Sequence, residues 1–386
     1  MSKSKITKEL LDSLKHSPVW LLEEHLLREN LEKLKKIKNE TGIKILLALK
    51  GFALFHTFDL VREYLDGCCA SGLNEAILSN KRFKKATHTY SPAFKPDEID
   101  EIAKISNHIV FNSPNQLKLY KDRVKKINPN ISIGIRINPE FSSASAEIYN
   151  PCGMFSRLGT LKKDLNKEIV KELDGFHLHT LCEQGSDAFE AVLEVFEEKF
   201  GNYLKSLKWV NFGGGHLITK EGYDIDRFIK VINGFKSRYP HLEIFIEPGE
   251  AIGWQTGVLI ATVLDIVHNK MDIAILDTSA EAQMPDSIIM PYRVEVRGAK
   301  EPLKQKYTYK LTGNTCLAGD VMGDYSFSSP LKVGDKIIFE DQMHYTMVKA
   351  TTFNGINLPS IMILKEDGRL ELVREFGYRD FESRLG

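Results

Sequence analysis

The chain has 386 residues, of which 42% are hydrophobic and 27% charged, with 52 Lys and Arg balanced by 52 Asp and Glu. Such a composition excludes a disordered or fibrous chain, and the length suggests two domains. Zero net charge gives no electrostatic reason to expect nucleic acid or an anionic membrane as partner, and no apolar run reaches the roughly 18 residues of a membrane span.

The first residues, "MSKSKITKELLDSLKH", are polar and charged, unlike a secretory leader. Five cysteines (Cys68, Cys69, Cys152, Cys182 and Cys316) lack regular spacing, and no CxxC occurs. The expectation is reduced thiols in the cytoplasm and no zinc site.

Along the chain, "PVWLLEE" (18–24) reads as an early strand. From about residue 22 to 250, short apolar runs alternate with charged stretches of helical period. The strand candidates are "ILLALK" (45–50), "GCCAS" (67–71), "ATHTYS" (86–91), "HIVFN" (108–112), "SIGIRIN" (132–138), "GFHLHT" (175–180), "WVNFGG" (209–214) and "EIFIEPG" (243–249). Stretches such as "DEIDEIAKIS" and "FEAVLEVFEEKFGNYLKSL" place apolar residues at helical spacing between them. Eight strands alternating with helices predict an α/β fold, a (β/α)8 TIM-type barrel over 22–250.

After residue 250 the texture changes to short strands with Gly, Pro and Asp turns: "GVLIATVLDIV", "MDIAILDTS", "YRVEVRG", "KYTYKLTG", "KIIFED", "YTMVKA" and "RLELVREF". A C-terminal, mainly β domain is expected over 251–386, with residues 1–21 contributing a strand.

Active sites of such barrels collect at the C-terminal ends of the strands. The last polar residues there are Lys50, Ser71, His88, Asn112, Arg136, His179, the glycines 213–215 and Glu247. "NFGGGH" (211–216) lets backbone amides converge on a phosphate, or simply makes a tight turn. Glu247, followed by Pro248-Gly249, can be a base, a metal ligand, a partner for a protonated ring nitrogen, or one half of a structural ion pair. His177 and His179 share a strand face, which allows a metal pair or a stacking ring beside a packed one. Cys316 lies in a Gly-flanked loop with Asp320 four residues on, and Tyr345 is read as a strand residue. Each feature alone has an ordinary structural explanation. Together, a lysine able to form a Schiff base, a phosphate nest, a carboxylate for a pyridine nitrogen and a flat stacking group are the parts that bind pyridoxal 5′-phosphate.

With those residues in place, the chain resembles the fold type III, alanine-racemase-like family of pyridoxal-phosphate-dependent decarboxylases. The resemblance runs in order through the strand-end lysine, "CASGLNEA", "GIRINP", "HTLCEQ", "GGGH", "EPGEA", "CLAGD" and "YTMVKATTFNG". It implies that Lys50 carries the cofactor, that His179 stacks on its ring and that Arg136 lies toward its phenolic oxygen. It further implies that Gly213, Gly214, Gly215, Gly249 and Tyr345 hold the phosphate and that Glu247 pairs with the ring nitrogen. Racemases of this fold place an arginine opposite that nitrogen, so a glutamate favours decarboxylation. Cys316 and Asp320 would come from a second copy in a homodimer with shared active sites, and Cys316 or Lys50 would reprotonate the α-carbon.

For the substrate, many relatives continue EPG with arginine, whereas here Glu250 follows. Glu183, Glu250, Glu281 and Asp320 suit a small molecule with an ammonium-bearing tail, which implies a carboxylated polyamine such as carboxynorspermidine or carboxyspermidine. Gln283 stands where the resemblance leads one to expect a histidine. Alternatives are decarboxylation of diaminopimelate, ornithine or arginine, an inactive regulatory relative, and a metal hydrolase using His177, His179 and Glu247.

Overall fold

The structure, a computed structural model, describes residues 3–144 and 147–386. The chain divides into two compact units, residues 30–252 and residues 1–29 together with 253–386.

Eight parallel strands build the first unit: Lys44–Ala48, Gly67–Ala70, Ala86–Tyr90, His108–Phe111, Ser132–Asn138, Gly175–Leu178, Trp209–Asn211 and Glu243–Ile246. Each pairs in parallel with the next, and the eighth pairs with the first, closing a (β/α)8 barrel. All eight coincide with the apolar runs read from the sequence; Ser132–Asn138 ends where its run does and the other seven end one to three residues earlier. The outer helices carry their own start signals. Ser113 caps the helix Pro114–Ile127, accepting from the Gln116 amide at 3.3 Å with proline at the first position. That helix buries Leu117, Tyr120 and Val124, one stripe at a spacing of three and four. Asp224 caps Ile225–Arg238 in the same way, and Phe228, Ile232 and Phe235 form its buried face.

The lumen toward the N-terminal ends of the strands is filled by rings. His88 stacks on His108 at 3.8 Å, Phe245 lies 4.7 Å from His88, and Trp209 lies 5.1 Å from His108. A Cβ on Gly134 or Gly175 would overlap the Trp209 ring, so only glycine on those two strands leaves room for the indole. Its Nε1 donates to Ser132 Oγ at 2.8 Å. His88 therefore belongs to this packed layer rather than to a strand end, because it is the third residue of its strand.

The second unit is a mixed sheet. Its path runs Val321–Phe327, Tyr307–Thr312, Met271–Leu276, Gly257–Asn269, Val19–Glu23, Ser360–Leu364, Leu370–Arg374, with Lys336–Phe339 also pairing with Gly257–Asn269. The early strand Val19–Glu23 lies antiparallel to Gly257–Asn269 and parallel to Ser360–Leu364. Three readings are corrected here. "YRVEVRG" buries Val294 and Val296 by alternation but makes only an isolated bridge, Val296 to Phe339. "YTMVKA" is the helix Tyr345–Lys349, because one short apolar alternation does not separate strand from helix. Val321–Phe327 and Ser360–Leu364 are strands that the sequence reading passed over; the second is buried at every residue and so shows no alternation.

Candidate active site

The first barrel strand ends at Ala48, whose amide donates to Pro248 O at 3.0 Å. Leu49 N donates to Cys69 O at 3.1 Å, and the chain turns at Lys50-Gly51. A Cβ on Gly51 would lie 2.8 Å from Glu250 N, and one on Gly249 would lie 2.8 Å from Ala48 O. Two glycines thus let the Lys50 turn and the Glu247-Pro-Gly turn press backbone against backbone. The Lys50 side chain is exposed, not embedded in the strand's apolar surroundings. Its charge is felt at Cys69, Glu75, His179 and Cys182.

Glu247 is buried, with Oε1 accepting from Asn211 Nδ2 at 2.6 Å and Oε2 lying 3.1 Å from His177 Nε2. Burial alone would raise its pKa, but His177, Asn211 and the Cys69 thiol together hold the carboxyl below the usual range. The converse acts on Cys69, where burial and then Glu247 push the thiol well above its ordinary value.

The glycine run interlocks with its neighbours. A Cβ on Gly213 would lie 2.6 Å from Leu178 O, while those on Gly214 and Gly215 would overlap the carbonyls of Glu247 and Leu181. Gly213 and Gly215 also have φ of +68° and +85°, so both geometry and space require glycine. Gly213 N donates to Asn211 Oδ1 at 2.9 Å and Gly214 N to His179 Nδ1 at 3.0 Å. Among the described residues no protein acceptor faces the Gly215 amide.

That same bond fixes His179. Burial, with Lys50 and Arg136 nearby, holds its imidazole well below the ordinary range, so it presents a neutral flat ring. Arg136, buried, donates Nη2 to His179 O at 2.9 Å and lies over the Tyr90 ring at 4.8 Å. Tyr90 stacks on His177 at 5.3 Å and donates its hydroxyl to Asn112 Oδ1 at 2.8 Å.

At the mouth stand two carboxylates. Glu183 is exposed with φ +53°, a left-handed conformation uncommon for a residue with a Cβ, and Glu250 opens the short helix Glu250–Gly253. Burial and then these two charges push the Cys182 thiol up to about 11. The charges of Glu183, Glu250 and Lys50 thus all act on the same thiol.

The remaining candidates lie in the β unit. Cys316 is exposed, its amide donating to Asn354 Oδ1 at 2.7 Å. Asp320, expected as a substrate ligand, is buried and accepts from four donors: the amides of Ala280, Glu281 and Thr315 and the Thr315 hydroxyl. That carboxylate braces the Cys316 loop against the start of the helix Ala280–Gln283. Glu281 Oε2, by contrast, is buried without a protein partner. Gln283 is wholly buried, bonded to the Thr278 hydroxyl and donating to Asn357 O at 2.8 Å, so it ties segments together instead of lining a site. Tyr345 begins a helix.

Sequence reading missed Tyr90, Asn211 and Cys69. Asn211 looked like part of the glycine turn, yet its position two residues before Gly213 was a usable signal. Among the described residues no cluster of His, Cys, Asp and Glu is arranged to hold a metal, and no helix is long and apolar enough to cross a membrane.

A family model described as pyridoxal-dependent decarboxylase, C-terminal sheet domain, matches residues 38–342. A carboxynorspermidine/carboxyspermidine decarboxylase of Campylobacter jejuni is 52% identical over 379 residues, 95% of this chain and 98% of that protein. A carboxyaminopropylagmatine decarboxylase of Synechocystis is 47% identical over 371 residues, covering 96% and 95% of the two chains. The crystal structure of carboxynorspermidine decarboxylase complexed with norspermidine, from Campylobacter jejuni, superimposes with a TM-score of 0.89 at 50% identity, covering 95% of this chain and 99% of that one.

Proposed function

The chain belongs to the pyridoxal-dependent decarboxylases, and from that premise we propose that it removes the α-carboxylate of a carboxylated polyamine, carboxynorspermidine or carboxyspermidine. The observation that carries the substrate class is that Glu250 packs its backbone against the Lys50-Gly51 turn, with the Glu183 and Glu250 charges both acting on the Cys182 thiol. A polyamine tail is polycationic at neutral pH, and carboxylates at a barrel mouth offer it charge-assisted hydrogen bonds. The 52% identity to the Campylobacter jejuni enzyme supports the same substrates. The 47% identity to the Synechocystis enzyme favours a second reading, carboxyaminopropylagmatine, whose tail is likewise cationic.

Pyridoxal 5′-phosphate is the cofactor of the family, and the residues present fit it. The glycine run is a turn too closely packed to admit a Cβ, with the Gly215 amide lacking a protein acceptor among the described residues, and Glu247 is a buried carboxylate hydrogen-bonded by an amide, an imidazole and a thiol. Such a carboxylate has charge to offer a cationic ring nitrogen. When bound, the cofactor supplies an aldehyde for the substrate amine and a ring that takes up the electron pair left by carbon dioxide. Lys50 would hold the aldehyde carbon covalently through Nζ. The expectation that all four glycine amides hold the phosphate is narrowed: the Gly213 and Gly214 amides are taken up by Asn211 Oδ1 and His179 Nδ1, so those of Gly215 and Gly249 would hold it, and His179 would lie flat on the ring. Arg136 would face the phenolic oxygen. Tyr345 as a phosphate ligand and Cys316 as the donor of a proton to the α-carbon are proposed on the family resemblance.

A homodimer, in which the Cys316 loop of each copy completes the site of the other, is part of this proposal. Leu317 and Phe353, 42% and 41% exposed beside the exposed thiol, support it. Neither Lys50→Ala nor Cys316→Ala should work alone, while a mixture should regain up to about a quarter of wild-type activity through hybrid dimers; no recovery would sink the shared site. Five free thiols support a cytoplasmic location, which cell fractionation checks.

The deciding experiment is carbon dioxide release from carboxynorspermidine, carboxyspermidine, carboxyaminopropylagmatine, diaminopimelate, ornithine and arginine. Release from diaminopimelate with none from the carboxylated polyamines overturns the substrate proposal.

A further inference from the structure

Beneath the Lys50 turn, the side chains Arg136, Tyr90, His177, Glu247 and Asn211 form one connected row. Two of its members, Arg136 at one end and Glu247 next to the other, face a ring in the proposed function. Its middle has no part in that function so far. His177 and Glu247 are both buried, yet they come from strands 70 residues apart and meet at 3.1 Å.

The geometry constrains what His177 does. Its Nδ1 is buried with no acceptor, so the ring proton belongs on Nε2, aimed at Glu247 Oε2. The ring plane is set by Tyr90, stacked at 5.3 Å and 22°. Tyr90 is itself anchored at its far end: its hydroxyl donates to Asn112 Oδ1, which also accepts from Gly159 N at 2.7 Å, while Asn112 Nδ2 donates to Arg157 O at 2.8 Å. The imidazole therefore cannot swing off the carboxylate without breaking a braced stack. With Asn211 on Oε1 and His177 on Oε2, each carboxylate oxygen has a donor in the protein, the Cys69 thiol adds a third, and rotation about the Cγ–Cδ bond is fixed. No lysine or arginine among the described residues hydrogen-bonds Glu247, so the negative charge is left for a ligand.

We propose that His177, held flat by Tyr90, is a positioning residue that aims the Glu247 carboxylate and keeps it charged for the ring nitrogen of the cofactor. The inference rests on the decarboxylase reading and adds to it a determinant of the electron-withdrawing power of the bound ring. A packed core histidine would show the same burial but not the directed bond, and the two roles separate by experiment.

The test uses wild type, His177→Leu, His177→Gln and Tyr90→Leu. Each apoprotein is titrated with pyridoxal 5′-phosphate and with its 1-deaza analogue, in which carbon replaces the ring nitrogen, and kcat and KM are measured for carboxynorspermidine. Wild type should prefer the nitrogen-bearing ring. His177→Leu should lose about 10- to 100-fold of that preference and a similar factor in kcat, the worth of one buried hydrogen bond to a charge, with KM nearly unchanged. His177→Gln, which keeps a donor at similar reach, should recover most of both, and Tyr90→Leu should fall between. The proposal is overturned if His177→Leu keeps the wild-type preference, or if His177→Gln is as impaired as His177→Leu. Should His177→Leu not fold, an unchanged preference in Tyr90→Leu overturns it equally. If wild type prefers the nitrogen-bearing ring but releases carbon dioxide from none of the carboxylated polyamines, the substrate proposal fails and the role of His177 stands.

Discussion

Two pairs of histidines share the interior of one barrel. His88 and His108 lie in the packed layer, ring on ring at 3.8 Å, each with Nδ1 lacking a partner. His177 and His179 lie at the C-terminal ends of the strands, and each gives a nitrogen to a specific neighbour, Glu247 Oε2 and the Gly214 amide. The first pair behaves as aromatic filler that happens to carry nitrogen; the second acts through its nitrogens. Residue type is the same for both, and all four lie on or next to barrel strands. The difference lies in whether a polar partner from a distant strand arrives opposite the ring.

Changes in the upper layer should therefore damage chemistry and spare stability, and changes in the lower layer should do the reverse. The largest effect is expected of Lys50→Ala, which should abolish both carbon dioxide release and the visible absorbance of the cofactor bond. Because Lys50 is exposed, the apoprotein Tm should barely move; persistence of the coloured bond would remove the centre of the assignment.

Next comes Gly175→Ala, which forces a methyl group into the Trp209 ring. It should cost about 1–3 kcal/mol of stability by overpacking, measured by urea unfolding, while folded enzyme keeps its KM. Unchanged stability would break the comparison at its base.

A smaller effect should follow pH. Burial pushes His108 down to about 4 and His88 well below its ordinary value, whereas both titrate near pH 6.5 in the unfolded chain. Below pH 6.5 the unfolded state binds more protons, so stability is complete above that pH and is lost as pH falls toward the folded values. Each imidazole contributes a slope of up to about 1.4 kcal/mol per pH unit, and His108→Phe should flatten the profile by one such increment. The smallest effect is expected of Glu183→Gln at the mouth. It should raise KM for a carboxylated polyamine by roughly 5-fold at most with kcat little changed, one exposed charge being worth up to about 1 kcal/mol.

Much of this was readable along the chain. The eight barrel strands are punctuated by glycines and charged helices, and their spacing gives the fold directly. Lys50, His179, the glycine run and Glu247 stand out because a charged, polar or flexible residue ends an apolar run, and Arg136 because it is the one charge inside such a run. Other features misled. His88 resembles a strand-end group until the strand is seen to continue past it. Asp320 resembles a free acid until four donors from its own loop and the Ala280–Gln283 helix close on it. Cys69 and Tyr90 carried no signal of their own, since an inward-facing cysteine or tyrosine is ordinary until something charged lies opposite, and Asn211 showed only its place beside the glycine run.

By itself, then, the sequence determined which side chains share a face, because the periods of strand and helix are local properties of the backbone. It determined the chemical types available at the barrel mouth for the same reason. Only the tertiary structure decided who meets whom: His177 with Glu247, Asn211 with the other carboxylate oxygen, Trp209 with two glycines on neighbouring strands. Those contacts depend on the register of a closed barrel, which is set by all eight strands at once, and an imidazole becomes filler or machinery according to what that closure brings against it.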